Sequence, residues 1–238
     1  MRGPETANPR SLDRSTPRKY ADLIAPERYD QWYSTPRGDW IGRTETALLD
    51  ALIGLRSGES LLDVGCGTGY FTQALSADAC WTVGADRDEA MLHHAARHRD
   101  GGPSWLSADA HALPFADLSF DIVISVAALC FMQDEHRALA EMLRVARRRV
   151  VLGLLNRRSL LYLNHGRNGG RGGYRGARWH TAREARSLFD ALATANVETR
   201  CAVFLPSGGP LARWVEPTLG RWQAGWGSLL AVAADKMW

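Results

Sequence analysis

One stretch restricts the folds open to this chain more than any other: Leu61–Leu62–Asp63–Val64–Gly65–Cys66–Gly67–Thr68–Gly69–Tyr70–Phe71. A short apolar run that stops in alternating glycines, followed by a pattern able to start a helix, reads as a buried parallel strand turning tightly into a helix. Glycine lets the backbone take positive φ and lets a ligand approach it, and the free N–H groups of a helix start favour an anionic group. The turn is therefore a candidate binding site. A dinucleotide fingerprint requires a third glycine or alanine at the position where this chain, counted from Gly65, carries Tyr70, which argues against NAD.

The pattern present, Asp-x-Gly-x-Gly-x-Gly over Asp63, Gly65, Gly67 and Gly69, resembles motif I of class I S-adenosylmethionine (SAM) methyltransferases. The resemblance implies that this loop, Cys66 included, wraps the amino acid end of SAM. That end carries one carboxylate and one ammonium, for which backbone N–H groups and a nearby acid are suitable partners. Asp86 closes the short strand Trp81–Ala85 and lies 21 residues after Gly65, the distance at which a βαβ unit delivers an acid to the ribose of an adenosine cofactor. Taken alone it reads as a cap for a helix over Asp88–His98; in register with motif I the ribose role is the better reading, and Arg87 and Met91 join the cofactor site with it. After a further strand beginning at Trp105, the string Asp109–Ala110–His111–Ala112–Leu113–Pro114–Phe115 resembles the family's adenine loop. The resemblance implies that Asp109 accepts from the adenine amino group and that the Ala110 N–H meets a ring nitrogen.

Motif-grade similarity, to the type 11 methyltransferases in particular, extends over about residues 27–156. The aromatic segment from Tyr20 to Trp40, with Tyr29 and Tyr33, resembles the part of that family that covers the SAM pocket; alternatively its rings cover one end of the core. A helix is expected from Thr44 to Leu55, and a fourth strand from Ser119 to Ser125, ending near Val126 on the cofactor side. Asp134 can cap a helix whose Leu139, Met142, Leu143 and Val145 face inward, and whose Glu141 and Arg144 resemble the family's E-x-x-R-V end. The family then continues Pro-Gly-Gly. Here Arg147–Arg148–Arg149 stands instead, read as a turn on the far side from the cofactor, before a strand over Val150–Leu155. A helix over Thr181–Ala195 and strands over Val197–Leu205 and Gly227–Ala234 complete the expected fold. That fold is an α/β, Rossmann-like doubly wound sheet of seven strands, mostly parallel with one antiparallel strand, and helices on both faces.

A chain of 238 residues suits one such domain, here 20–238, and its net charge of +3 gives no general argument for nucleic acid. The cysteines at 66, 80, 130 and 201 are too far apart for a zinc site or a disulfide framework, so no metal is expected and reduced thiols in the cytoplasm fit best. Residues 1–19, proline-bearing and nearly free of large apolar side chains, are expected to form a disordered tail without a secretory signal. The run from Ile122 to Met132 is too short to span a bilayer. Nothing in the sequence sets the oligomeric state.

Residues 156–180 hold six arginines and no acid, and six glycines fall within 166–176. Three readings stay open: a flexible lid over the methyl acceptor, a solvated loop, and an RGG-like tract over Gly169–Arg175 that contacts RNA. The lid reading makes Arg171, Tyr174, Arg175 and Trp179 the substrate residues, and guanidinium groups suit a carboxylate or phosphate. The expected activity is methyl transfer from SAM to a small-molecule acceptor, polar or anionic and partly aromatic or apolar. The alternatives are a nucleic-acid-binding protein or RNA methyltransferase, and a nucleotide-dependent oxidoreductase. Displacement at a sulfonium needs no protonated leaving group, so a base is optional; His180 is preferred over His165, Tyr174 and His111 for that role.

Overall fold

In the computed structural model, residues 25–237 are described, apart from 77, 78, 80 and 100. The tail over 1–19 and Cys80 lie outside the described residues. Seven strands form one sheet: β1 (Ser60–Val64), β2 (Trp81–Asp86), β3 (Ser104–Ser107), β4 (Phe120–Val126), β5 (Ala146–Leu155), β6 (Thr194–Ala202) and β7 (Leu229–Lys236). Their order is β3-β2-β1-β4-β5-β7-β6, with β7 antiparallel to both neighbours and every other pairing parallel. The expected doubly wound sheet with one reversed strand is present.

Because side chains alternate across a strand, each central strand feeds two cores. On one face Leu62, Val64, Val123, Val150 and Leu152 pack with Leu139 and Met142 of α5 (Glu135–Val145). On the other, Leu61, Ile122, Ile124 and Val151 pack with Leu49, Leu52 and Ile53 of α2 (Pro36–Ile53) and with Phe71 and Leu75 of α3 (Tyr70–Leu75). Asp63, in step with Leu61, therefore points toward the α2 and α3 side.

Several boundaries differ from the sequence reading. The segment around Pro26 and Pro36 is helical: each proline opens a helix, α1 (Pro26–Tyr33) and α2, at a position where a missing N–H costs nothing. Arg147–Arg149 form no turn. They lie in the first half of β5, each beside a carboxylate: Arg147 to Asp121 at 3.4 Å, Arg148 to Glu59 at 2.6 Å and Arg149 to Asp235 at 2.6 Å. The Thr181 helix has a capping box with Glu184 but stops early, as α6 (Ala182–Ser187), because the chain turns into β6 from Thr194. A further helix, α7 (Pro210–Arg221), lies between β6 and β7.

Candidate active site

The sheet order reverses between β1 and β4, and in an open α/β sheet the crevice beyond the strand ends at such a switch point is where ligands bind. A cavity opens there. Its wall includes Asp63, Gly65, Cys66 and Gly67 from the first turn, and Asp86, Arg87 and Met91 from the end of β2 and from α4 (Glu89–His98). Asp109, Ala110, Val126 and Tyr29 complete the set of expected residues that line it. Gly69 and Tyr33 sit just behind the wall. A Cβ on Gly69, whose φ is 74°, would lie 2.3 Å from the Trp105 ring, so this glycine makes room for an indole packed under the loop. Tyr33 is stacked on the cavity-lining Tyr70 with centroids 3.8 Å apart.

Three carboxylates serve this cavity in different ways. Asp63 is buried; its Oδ2 accepts from Thr72 Oγ1 at 2.6 Å, and its Oδ1 has no partner among the described residues. Burial raises its pKa to about 7, with the Asp86 charge adding to the rise and the Thr72 hydroxyl opposing it. Asp86 accepts from the backbone N–H of Gly67 and of Asp88, both at 2.9 Å, tying the glycine loop to the next helix entry. Burial shifts its pKa upward against those amide contacts. Asp109 is exposed and held low, first by the His111 backbone N–H and then by the His111 ring, whose Nδ1 lies 2.7 Å away. The Asp134 N–H donates to His111 Nε2 at 3.3 Å, so the hydrogen bonds place the ring proton on Nδ1. Burial pushes the Cys66 thiol well above its usual value, so it contributes shape and not a thiolate.

Asp30, His94 and Arg99, absent from the sequence reading, and the Glu141–Arg144 pair complete the site. Asp30 of α1 accepts from Thr68 Oγ1 at 2.7 Å and from Arg99 Nη2 at 2.6 Å, and lies 3.0 Å from His94 Nε2; Arg99 Nε also donates to the Thr68 carbonyl. This network fastens the covering helix to the glycine turn. The signal was available as an acid at helical spacing from Tyr33 and Glu27, but its partners lie far away in sequence. Arg144 links Glu141 and Asp117 and also donates to the carbonyls of Leu113 and Phe115, while the Leu113 N–H donates to Glu141. The Glu-x-x-Arg pair thus holds the 113–117 loop beside the cavity. Ala127, at the rim, has φ 53°, a conformation that costs a non-glycine residue about 1 kcal/mol or more.

The 156–180 insertion has its own framework. Asn156 and His180 are bridged at its foot, Arg171 N–H donates to the His165 carbonyl, Gly176 N–H to that of Gly169, and Tyr162 and Tyr174 pack around Trp179. Its return limb docks on the segment that supplies Phe131 and Met132 to the cavity: Arg178 N–H donates to the Cys130 carbonyl, and its guanidinium bonds the carbonyl of Met132. Arg171 and Arg175 are exposed and, with Tyr174 and Trp179, lie outside the cavity wall. His180 also lies outside the wall; it is buried, with Nε2 3.0 Å from Glu135, whose carboxyl it holds low. Of the other candidate bases, His111 lines the cavity. Among the described residues no group of three His, Cys, Asp or Glu could hold a metal ion, and no helix is long and apolar enough to cross a membrane.

A unit with this sheet order, glycine turn and acid after β2 belongs to the SAM-binding class of α/β proteins. A family profile described as a methyltransferase domain matches residues 62–152. An uncharacterised protein of Mycobacterium tuberculosis is 33% identical over 215 residues, covering 87% of this chain and 71% of its own length. A malonyl-[acyl-carrier protein] O-methyltransferase of Erwinia pyrifoliae is 42% identical over 94 residues, which span 39% of this chain and only 36% of that enzyme. The fold is similar to that of a SAM-dependent methyltransferase from Thermotoga maritima, with TM-score 0.71, 22% identity and coverage of 89% of this chain and 96% of the other. Residues 62–152 therefore carry a methyltransferase domain, the kind of unit whose methyl donor is SAM.

The site fits that donor on its own terms. Asp63 Oδ1 is a buried acceptor without a partner on the cavity wall, and at Gly67, where φ is 54°, a Cβ would meet nothing within 4 Å. An ammonium for the first and close approach to the second are both available there.

Proposed function

We propose that this enzyme methylates a small molecule that joins a polar or anionic group to a partly aromatic or apolar body. The observation that carries the reading is the unpartnered Asp63 oxygen in a cavity that also presents Asp86 and Asp109. In this reading Asp63 takes the ammonium of the cofactor, the amides of the 65–69 turn its carboxylate, Asp86 the ribose hydroxyls, and Asp109 with the Ala110 N–H the adenine edge. Leu113, Phe131 and Met132 supply apolar walls.

Bound SAM supplies an electrophilic methyl group on a sulfonium that departs as a neutral thioether. The chain's own contribution is then to position and to exclude water. Tyr29 and α1 close over the cavity, and Asp30 keeps that cover in register with Thr68. His180, tied to Glu135, is assigned the positioning of the insertion's return limb and not proton transfer. Arg171 and Arg175, exposed in the insertion that leaves β5 at the carboxyl edge, meet the anionic group of the acceptor.

Calorimetry with SAM and label transfer from tritiated SAM into a cell extract test the two halves. Asp86→Ala should weaken SAM binding by about 1.5–3 kcal/mol for each charged hydrogen bond lost; unchanged affinity removes the ribose role. Arg171→Ala with Arg175→Ala should leave SAM binding intact and raise the acceptor's KM, most at low salt. Equal KM in the double variant returns the insertion to a role outside acceptor binding.

A further inference from the structure

Six of the large apolar side chains that stand exposed gather on elements at one edge of the sheet: Trp32 at 38%, Leu160 at 38%, Leu163 at 47%, Leu211 at 64%, and Trp214 and Trp222 at 78% each. That edge is the carboxyl edge, where the cavity opens. Strand β6 ends there at Ala202, level with Leu155 of β5, since both pair with Leu229. Helix α7 follows β6 and lies over this edge. At its start Arg213 donates to the Pro36 carbonyl and Arg37 to that of Pro206. Beyond its end Asn156, the foot of the insertion, donates to the carbonyls of Gly225 and Gly227.

The helix is two-sided. Ala212, Glu216 and Leu219 face the protein, and the carboxylate of Glu216, the one acid in α7, is turned onto the backbone N–H groups of Val203 and Phe204. Leu211, Trp214, Thr218 and Trp222, three or four residues apart, form the outer stripe. Arg221 of α7, and Arg158, Arg167, Arg171 and Arg175 of the insertion whose foot bonds the segment after α7, are exposed, and among the described residues none is within ion-pair distance of a carboxylate. Apolar rings and leucines with arginines around them, and no outward acid on α7 or within 156–180, match a surface that offers phosphates above hydrocarbon. A single-stranded nucleic acid would use the arginines and the rings but has nothing for Leu160, Leu163 and Leu211.

We propose that this edge, led by Trp214 of α7 and Trp222 just past its end and flanked by the arginine insertion, docks on an anionic lipid surface. The indoles lie at headgroup level, the leucines enter the acyl boundary and the guanidinium groups bind lipid phosphates. The cavity opens at the same edge, so the acceptor is an amphiphile presented by that surface; this consequence rests on the methyl-transfer reading, whereas the docking itself does not.

The test is co-sedimentation of the full chain with sucrose-loaded vesicles, without SAM or acceptor. One set is phosphatidylcholine and the other phosphatidylcholine with phosphatidylglycerol. Retention is expected on the anionic vesicles, and it should weaken as salt rises. Arg158→Gln and Arg167→Gln should each lower vesicle affinity roughly fivefold, and Trp214→Ser with Trp222→Ser should lower it roughly tenfold or more. Calorimetric SAM affinity, unchanged in these variants, certifies the fold. Several results would overturn the proposal: no retention of the wild type, equal retention on neutral vesicles, no effect of the tryptophan pair, or tighter retention on single-stranded RNA. A solution dimer that the tryptophan substitutions dissociate would overturn it too, by giving the face to a second copy.

Discussion

Asp63 is where cofactor chemistry and protonation meet. With a pKa near 7, it is largely protonated in the empty site at pH 6 and largely ionised at pH 8. A bound ammonium favours the ionised form, so binding from below neutrality has to remove a proton first. SAM affinity should therefore climb between pH 6 and pH 8 by up to about tenfold, the change in ionised fraction across a pKa of 7. Asp63→Asn should bind more weakly and flatten the profile. Calorimetry at several pH values, in buffers of different ionisation enthalpy to count protons released, decides it; a flat wild-type profile would remove Asp63 from ammonium binding. The importance of this aspartate was legible because the strand, the acid and the glycines are contiguous. Its state was not, because the burial that sets it comes from α2, α3 and the sheet together.

Among the elements, α1 carries the clearest consequence. It contributes no fully buried residue, yet Asp30 ties it to Thr68 of the glycine turn, to His94 of α4 and to Arg99 just past that helix. Such a helix is held by a few partly buried polar contacts, which makes it a low-stability unit able to open. Asp30→Ala removes its three side-chain hydrogen bonds, to Thr68, His94 and Arg99, and leaves Arg99 without its carboxylate. SAM affinity should fall about tenfold, and protease cleavage within 26–33 should speed up while the melting temperature moves little. Unchanged cleavage together with unchanged affinity would reduce Asp30 to decoration. The elements that escaped the sequence reading share a cause. Helices α1 and α7 had no counterpart in the sequence reading: Pro26, Pro36 and Pro210 open helices and Pro217 is carried within α7, so the helical signal was not an apolar repeat free of proline. Arg147–Arg149 read as a turn because a strand of three successive charges has no apolar alternation; their partners Asp121, Glu59 and Asp235 lie 26, 89 and 86 residues away. What was local in sequence was readable, and what depended on distant partners was not.

At the scale of the molecule the carboxylates fall into two groups with opposite effects on stability. Glu59, Asp121, Glu135, Glu141, Glu184 and Asp235 have lowered pKa values, each with an arginine within reach, and Glu135 chiefly through its hydrogen bond to the His180 ring. A group depressed on folding contributes stability above its unfolded value, near 4, that is lost as pH falls through its folded value. Asp63 at about 7 and Glu45 at about 8 go the other way, raised chiefly by burial, with Glu216 adding to the shift at Glu45; Asp86 and Glu216 are raised as well. A group raised on folding favours the folded state fully below its unfolded value, and that contribution disappears as pH rises through its folded value. The two windows overlap near pH 5. The melting temperature of the cofactor-free enzyme should therefore peak on the acid side of neutrality and decline from pH 5 to pH 8, with a steeper loss below pH 4. Asp63→Asn combined with Glu45→Gln should flatten the decline, since neither amide can ionise, and should leave the acid limb unchanged. Saturating SAM should lift the curve most at pH 8, where ionised Asp63 gains its ammonium partner and ligand binding to the folded state adds its own stabilisation. Thermal melts at half-unit steps from about pH 2.5 to pH 9 measure all three curves, and a wild-type melting temperature that rises steadily from pH 5 to pH 8 would mean that the buried acids do not govern the stability of this fold.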